Sequence, residues 1–181
     1  MALFVIYGVQ NSGKTHTCWL IYNLLRAEAT REIGFTPQTL SSKPTYSEVL
    51  QHIEDSFCGK PVPALSDFRA LFEYKDRKIA IFSAGDVLGD DDENRQNWNN
   101  QDWIDFVNNM HWAELNDVDH VICCSRSLNK TGSVQRYIME HYRMHVYRWY
   151  YKNRIYTTAQ EQIADAQRTA IEVFRDIKID Y

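Results

Sequence analysis

Apolar residues run unbroken over positions 2–7 (ALFVIY), and a run without polar alternation marks a strand buried on both faces. A glycine-bounded turn follows, and from Lys14 the residues Cys18, Ile21 and Leu25 recur at helical spacing with Leu20 and Leu24 beside them, predicting a helix to about Ala29. Positions 30–60 have weaker patterning. Within them Thr45 and Glu48 stand at capping-box spacing ahead of Val49, Ile53 and Phe57, so the region is read as a helical insert at about 30–60. Pro61 and Pro63 end that helix, and FRALFEY, KDR and KIAIFSAGD (68–86) read as strand, tight turn and strand. Trp103, Phe106, Val107 and Met110 predict a third helix starting near 99–102, and HVICC (120–124) a further buried strand. Val134, Tyr137, Ile138 and His141 predict a fourth helix, and HVYRWYY (145–151) a strand. Thr158 and Glu161, again at capping-box spacing, open a long helix with Ile163, Ala166, Ala170, Phe174 and Ile177 on one face. Strands alternating with helices predict an α/β fold: a three-layer α/β/α sandwich around a mostly parallel sheet.

Composition narrows the classes. A chain of 181 residues that is 44% hydrophobic supports one well-buried core, so 1–181 is taken as a single domain rather than a disordered or fibrous chain. The formal charge of −4 argues against whole-molecule attraction to nucleic acid or anionic membranes and leaves any polyanion site local. The four cysteines form no CxxC pair and no signal-like segment precedes the first strand, which fits a reducing, cytoplasmic setting. No apolar run approaches the roughly 18 residues of a membrane span.

The turn after the first strand reads GVQNSGKT, residues 8–15, and satisfies G-x-x-x-x-G-K-[ST] at every fixed position in the required context of strand before and helix after. Glycines let several N–H groups converge on one anion, and the helix start adds its positive dipole end. These residues resemble the Walker A motif of the P-loop NTPase superfamily. The resemblance implies the P-loop fold, a phosphate cradle built from Gly8, Val9, Gln10, Asn11, Ser12 and Gly13, and Lys14 as an exposed amine reaching the β- and γ-phosphates. It also implies that the Thr15 hydroxyl ligates Mg²⁺, with His16 beside it, and that the cofactor is Mg²⁺ with ATP or, with less support, GTP.

P-loop proteins hold Mg²⁺ indirectly through a carboxylate at the end of a second buried strand. Here the run 79–82 ends in Ser83, and the first carboxylate, Asp86, comes three residues later. It is read as a metal or water organiser, the alternative being that it caps a Gly85-Asp86 turn. The hairpin ahead of SAGD is similar to the Ras-like GTPase arrangement leading into D-x-x-G, but the aspartate of that pattern is missing. NKTG (129–132) is similar to the guanine-reading N-K-x-D and lacks its carboxylate. Arg126 leaves the strand 120–124 in a loop rich in small polar residues, where strand ends face the ligand crevice of an open sheet, and is read as an auxiliary cation for the γ-phosphate.

HYRMHVYRWYYKNR (141–154) interleaves basic and aromatic residues in the manner of a single-strand nucleic-acid platform, but an edge strand packed on the last helix gives the same pattern, and the acidic chain favours packing. His141 and His145 lose a common face at the helix-to-strand change and are not read as a zinc pair. The run 90–93 is read as a solvated acidic loop. The expected activity is cleavage of the β–γ bond of a nucleoside triphosphate, with Lys14, Asp86 and Arg126 as catalytic residues and Thr15 and Asp86 at the metal. The alternatives are a nucleotide or small-molecule kinase and a nucleotide-gated interaction module. Besides the triphosphate, a protein partner or phosphoryl acceptor of unspecified chemistry is expected, and neither nucleic acid nor membrane.

Overall fold

The computed structural model describes residues 1–9, 12–36, 43–83, 101–126, 134–152 and 156–179; of 101–104 and 126 it describes the backbone alone. Strands β1 (Ala2–Gly8), β2 (Arg31–Thr36), β3 (Arg69–Tyr74), β4 (Arg77–Phe82), β5 (His120–Arg126) and β6 (Val146–Lys152) alternate with helices. The helices are α1 (Lys14–Glu28), α2 (Tyr46–Phe57), α3 (Gln101–Leu115), α4 (Val134–His141) and α5 (Ala159–Ile179), with a short 3₁₀ turn at Arg143–His145 before β6.

The strands form one six-stranded mixed sheet in the order β2-β3-β4-β5-β1-β6. β4 with β5, β5 with β1 and β1 with β6 are parallel; β2 with β3 and β3 with β4 are antiparallel. The expectation of a mostly parallel sheet therefore holds for the β4-β5-β1-β6 part and gives way to antiparallel pairing at the β2 edge. For β3 with β4 the reason is local: they are joined by only Lys75 and Asp76, and so short a connection can pair strands only antiparallel. Both turn residues have positive φ, 44° and 57°, the requirement of a type I′ turn.

Burial explains the unbroken apolar runs. Leu3, Phe4, Val5 and Ile6 are all fully buried, and alternate residues belong to different clusters. Phe4 and Ile6, with Ile79, Ile81 and Ile122, pack with Trp19 and Leu25 of α1, Val49 of α2 and Ala166, Ala170 and Ile177 of α5. Leu3 and Val5, with Ala80, Val121 and Cys123, pack with Phe106 and Met110 of α3 and Val134 and Ile138 of α4. A strand that serves two clusters has no polar face to show.

Two readings of 30–60 need correction. The region opens with β2, so it is not wholly helical, and Phe57 is 40% exposed, leaving Val49 and Ile53 as the buried residues of α2. Its capping box forms as expected: the Glu48 N–H donates to Thr45 Oγ1 and the Thr45 N–H to the Glu48 carboxylate. The second box is altered. Glu161 N–H donates to Thr158 Oγ1, but the Glu161 carboxylate accepts from the N–H and hydroxyl of Thr157. Among the described residues no helix is long and apolar enough to cross a membrane.

Candidate functional site

β1 ends at Gly8 and α1 begins at Lys14, so the glycine loop lies where the sheet hands over to a helix N-terminus. Its two fixed glycines are required for different reasons. Gly13 has φ +75°, a left-handed conformation that a side chain disfavours, and a Cβ there would meet the Gln162 amide at 2.8 Å. At Gly8 the constraint is space, since a Cβ would stand 1.9 Å from the carbonyl oxygen of Lys152. The loop is thus closed in on one side by the end of β6 and on another by the first turn of α5.

Lys14 folds back into this loop. Its Nζ donates to the carbonyls of Val9 at 2.7 Å and Gly8 at 3.3 Å, and reaches Ser12 Oγ at 3.5 Å. The residue is 3% exposed, so the expectation of a solvent-facing amine is corrected: the ammonium is buried against main-chain dipoles. Thr17 Oγ1 and the Thr17 N–H both donate to the Gly13 carbonyl and tie the first turn of α1 to the loop. Gln10 and Asn11 lie outside the described residues.

In the first turn of α1, Thr15 donates its hydroxyl to Asp67 Oδ1 at 3.4 Å. The sequence reading missed Asp67, which lies 52 positions away in a proline-flanked segment without periodicity. Ser83, at the end of β4, donates its hydroxyl to the same Oδ1 at 3.1 Å and accepts from the Phe68 N–H at 2.7 Å. The donor atoms gathered here are hydroxyl and carboxylate oxygens, the set suited to a hard divalent cation. Asp67 also lines a cleft of about 410 Å³ together with Thr36, Arg69, Asp105, Asn108 and Asn109.

His16 follows Thr15 and meets His52 of α2, Nε2 to Nδ1 at 3.0 Å, while His52 Nε2 lies 2.8 Å from the carbonyl of Pro63. That carbonyl can only accept, so His52 Nε2 carries a hydrogen; in neutral His52 the Nδ1 then accepts from His16. Burial, followed by His52 and then Lys152, lowers the His16 pKa to about 4. His16 is accordingly a neutral ring bridging two helices.

On the other side of Gly8, Lys152 is buried and its Nζ donates to Asp165 Oδ2 at 2.6 Å. Tyr156 and Arg168 donate to the same carboxylate. Burial lowers the Lys152 pKa, against the pull of Asp165. Burial works to raise Asp165, but the hydrogen bonds of Lys152 and Tyr156 outweigh it and hold the acid below its usual range. Arg148 and Tyr150 on the same face of β6 donate to the buried Asp176, at 2.8 and 2.9 Å. Three of the polar groups that made 141–154 look like a nucleic-acid platform are therefore engaged with α5.

Of the other expected residues, Arg126 pairs in register with Gly8, which places its backbone at the end of β5 beside the loop. Asp86, the acidic run 90–93 and NKTG at 129–132 lie outside the described residues. β5 stands between β1 and β4, so the hairpin does not flank the strand that leads into the loop. His145 faces the Met1 carbonyl and His141 packs on Tyr137, and no group of three potential metal-ligating side chains occurs among the described residues. No protein-family model matches this chain, and comparison with curated proteins and with solved structures likewise finds no match.

Proposed function

We propose that the chain is a P-loop protein of three-layer α/β/α build that binds a nucleoside triphosphate with Mg²⁺ at residues 8–15 and hydrolyses its β–γ bond. The observation that carries this reading is the buried Lys14 ammonium, turned into the loop on the carbonyls of Gly8 and Val9, where an incoming phosphate chain exchanges those dipoles for anionic oxygens. Converging N–H groups and the α1 N-terminus cradle the phosphates, and Lys14 carries charge to the β- and γ-positions. Thr15 supplies a hydroxyl to the metal, which when bound neutralises charge on the β- and γ-oxygens. Asp86 and Arg126 enter on sequence grounds, as organiser of the attacking water and as auxiliary cation. Water attacks the γ-phosphorus, the bond to the bridging oxygen breaks, and the nucleoside diphosphate and inorganic phosphate leave.

The polar cleft beside Asp67 favours a second reading, in which an acceptor hydroxyl replaces water and the chain is a phosphotransferase. A turnover assay of the purified chain with ATP, GTP and Mg²⁺, with and without a panel of nucleosides and sugars, separates the two. Free phosphate alone supports hydrolysis, a phosphorylated acceptor supports transfer, and binding without either supports a nucleotide-gated interaction module. Stabilisation by a triphosphate no larger than by a monophosphate argues against phosphate binding in the loop, which only the longer chain fills.

A further inference from the structure

The geometry points to Asp67 as the acid that fixes the divalent cation of the phosphate site. It enters from the residues leading into β3 and not from the end of β4. The inference rests on the phosphate-binding reading above and assigns the metal within it. At the end of β4, where such an acid is expected, Phe82 is buried in the core and Ser83 follows. Asp67 lies two residues before the first pair of the β3–β4 ladder, Arg69 with Phe82, and its carboxylate accepts the Thr15 hydroxyl.

This contact sets the direction of Thr15. A hydroxyl has one hydrogen and two lone pairs, so donation to Asp67 turns the lone pairs toward other partners, leaving them for a cation. The arrangement is the outer-sphere pattern in which a carboxylate orients and makes more basic the group that touches the metal.

Asp67 is held from both sides. Ser83 holds Asp67 directly and also through its neighbour Phe68: its hydroxyl donates to Asp67, the Phe68 N–H donates to that hydroxyl, and the Ser83 N–H donates to the Phe68 carbonyl at 3.0 Å. From α1, the indole of Trp19 donates to the Ser66 carbonyl at 3.2 Å and packs against Phe68 with ring centroids 4.1 Å apart. A carboxylate braced by the helix that bears Thr15 and by the strand beside it is preorganised to orient a cation on Thr15.

Calorimetric titration with the non-hydrolysable triphosphate AMP-PNP, in Mg²⁺ and in EDTA, tests the assignment without turnover. Wild type binds more tightly in Mg²⁺. Asp67→Asn binds metal-free AMP-PNP as wild type does but loses tenfold or more of the Mg²⁺-dependent gain, whereas Asp86→Asn keeps that gain. An Asp67→Asn gain within threefold of wild type, or its loss in Asp86→Asn instead, overturns the assignment while leaving phosphate binding intact. A wild type that binds AMP-PNP in neither condition overturns the phosphate reading, and this inference with it. If Asp67→Asn does not fold, Asp67→Ser, which keeps a small polar group there, is read by the same criteria.

Discussion

Two lysines stand on either side of Gly8, both nearly free of solvent exposure, and their surroundings differ in kind. Lys14 hydrogen-bonds to the carbonyls of Gly8 and Val9, while Lys152 is bonded to the carboxylate of Asp165, whose other oxygen takes Arg168. A carbonyl dipole solvates a cation's charge without cancelling it, whereas a carboxylate neutralises the charge and makes the pair part of the fold. On the proposed function the contrast gives Lys14 to the ligand and Lys152 to the fold, although both are buried.

The strongest way to break the contrast is to remove Lys152. Lys152→Ala leaves Asp165 largely buried without its ammonium, and breaking such a pair costs about 3–5 kcal/mol, toward the lower end here because Tyr156 and Arg168 still donate to the acid. Urea unfolding measures it. Replacing both partners, Lys152→Met with Asp165→Leu, is expected to recover most of the loss, since no charge is then left unpaired. A double variant no more stable than Lys152→Ala indicates that Lys152 does more than neutralise Asp165.

Lys14→Ala is the converse. The fold loses about 1 kcal/mol, because the loop carbonyls lose a donor, but stabilisation by triphosphate disappears. For wild type that stabilisation is about 2.7 kcal/mol at a nucleotide concentration one hundred times Kd. A variant that ATP and Mg²⁺ stabilise as strongly as wild type would sink the assignment of Lys14 to the ligand.

The next effect concerns pH. His16 is largely buried, and it also faces His52 of α2 and feels the positive charge of Lys152, so its folded pKa of about 4 lies below the unfolded value of 6.5. A depressed folded pKa gives stability that is fully present above pH 6.5, falls as the unfolded chain takes up a proton, and is gone below about pH 4. The loss is about 2 kcal/mol after discounting for the exposed part of the ring. The difference in unfolding free energy between wild type and His16→Asn, followed from pH 7 to pH 4, isolates it from the carboxylates that titrate in the same range. A difference that stays constant over that window removes the buried, neutral ring from the account.

How much of this was legible follows from where each signal lies. The strands buried on both faces and the amphipathic helices were readable because burial imposes a period on consecutive residues. β2 was not, since Arg31, Glu32 and Thr36 interrupt its apolar residues on an edge strand that buries none of them fully. Strand order leaves no local trace, and the placement of β5 between β1 and β4 decides which acids lie near the loop. Thr15 and Asp67 meet only because α1 crosses toward β3, so their contact has no counterpart in spacing. The glycines at 8 and 13 were legible as a motif, but the reason at Gly8, the Lys152 carbonyl where a Cβ would stand, needed the β1–β6 register.

The smallest effect sharpens the contrast from the side of Asp165. The Tyr156 hydroxyl donates to the same oxygen that Lys152 uses, and the ring is 7% exposed, so Tyr156→Phe removes one charge-assisted hydrogen bond without opening a cavity. Removing a neutral donor from a carboxylate that keeps its ammonium is expected to cost about 1 kcal/mol, less than removing the ammonium, because Asp165 remains paired. Triphosphate affinity should not change, since Tyr156 touches the structural lysine's partner and not the loop. In a double-mutant cycle with Lys152→Ala the two losses should be non-additive, the tyrosine mattering more once it is left, with Arg168, to satisfy the acid. Additive losses would mean that the two donors act on Asp165 independently, and a weakened triphosphate affinity in Tyr156→Phe would mean that the Lys152 side of Gly8 belongs to the ligand site after all.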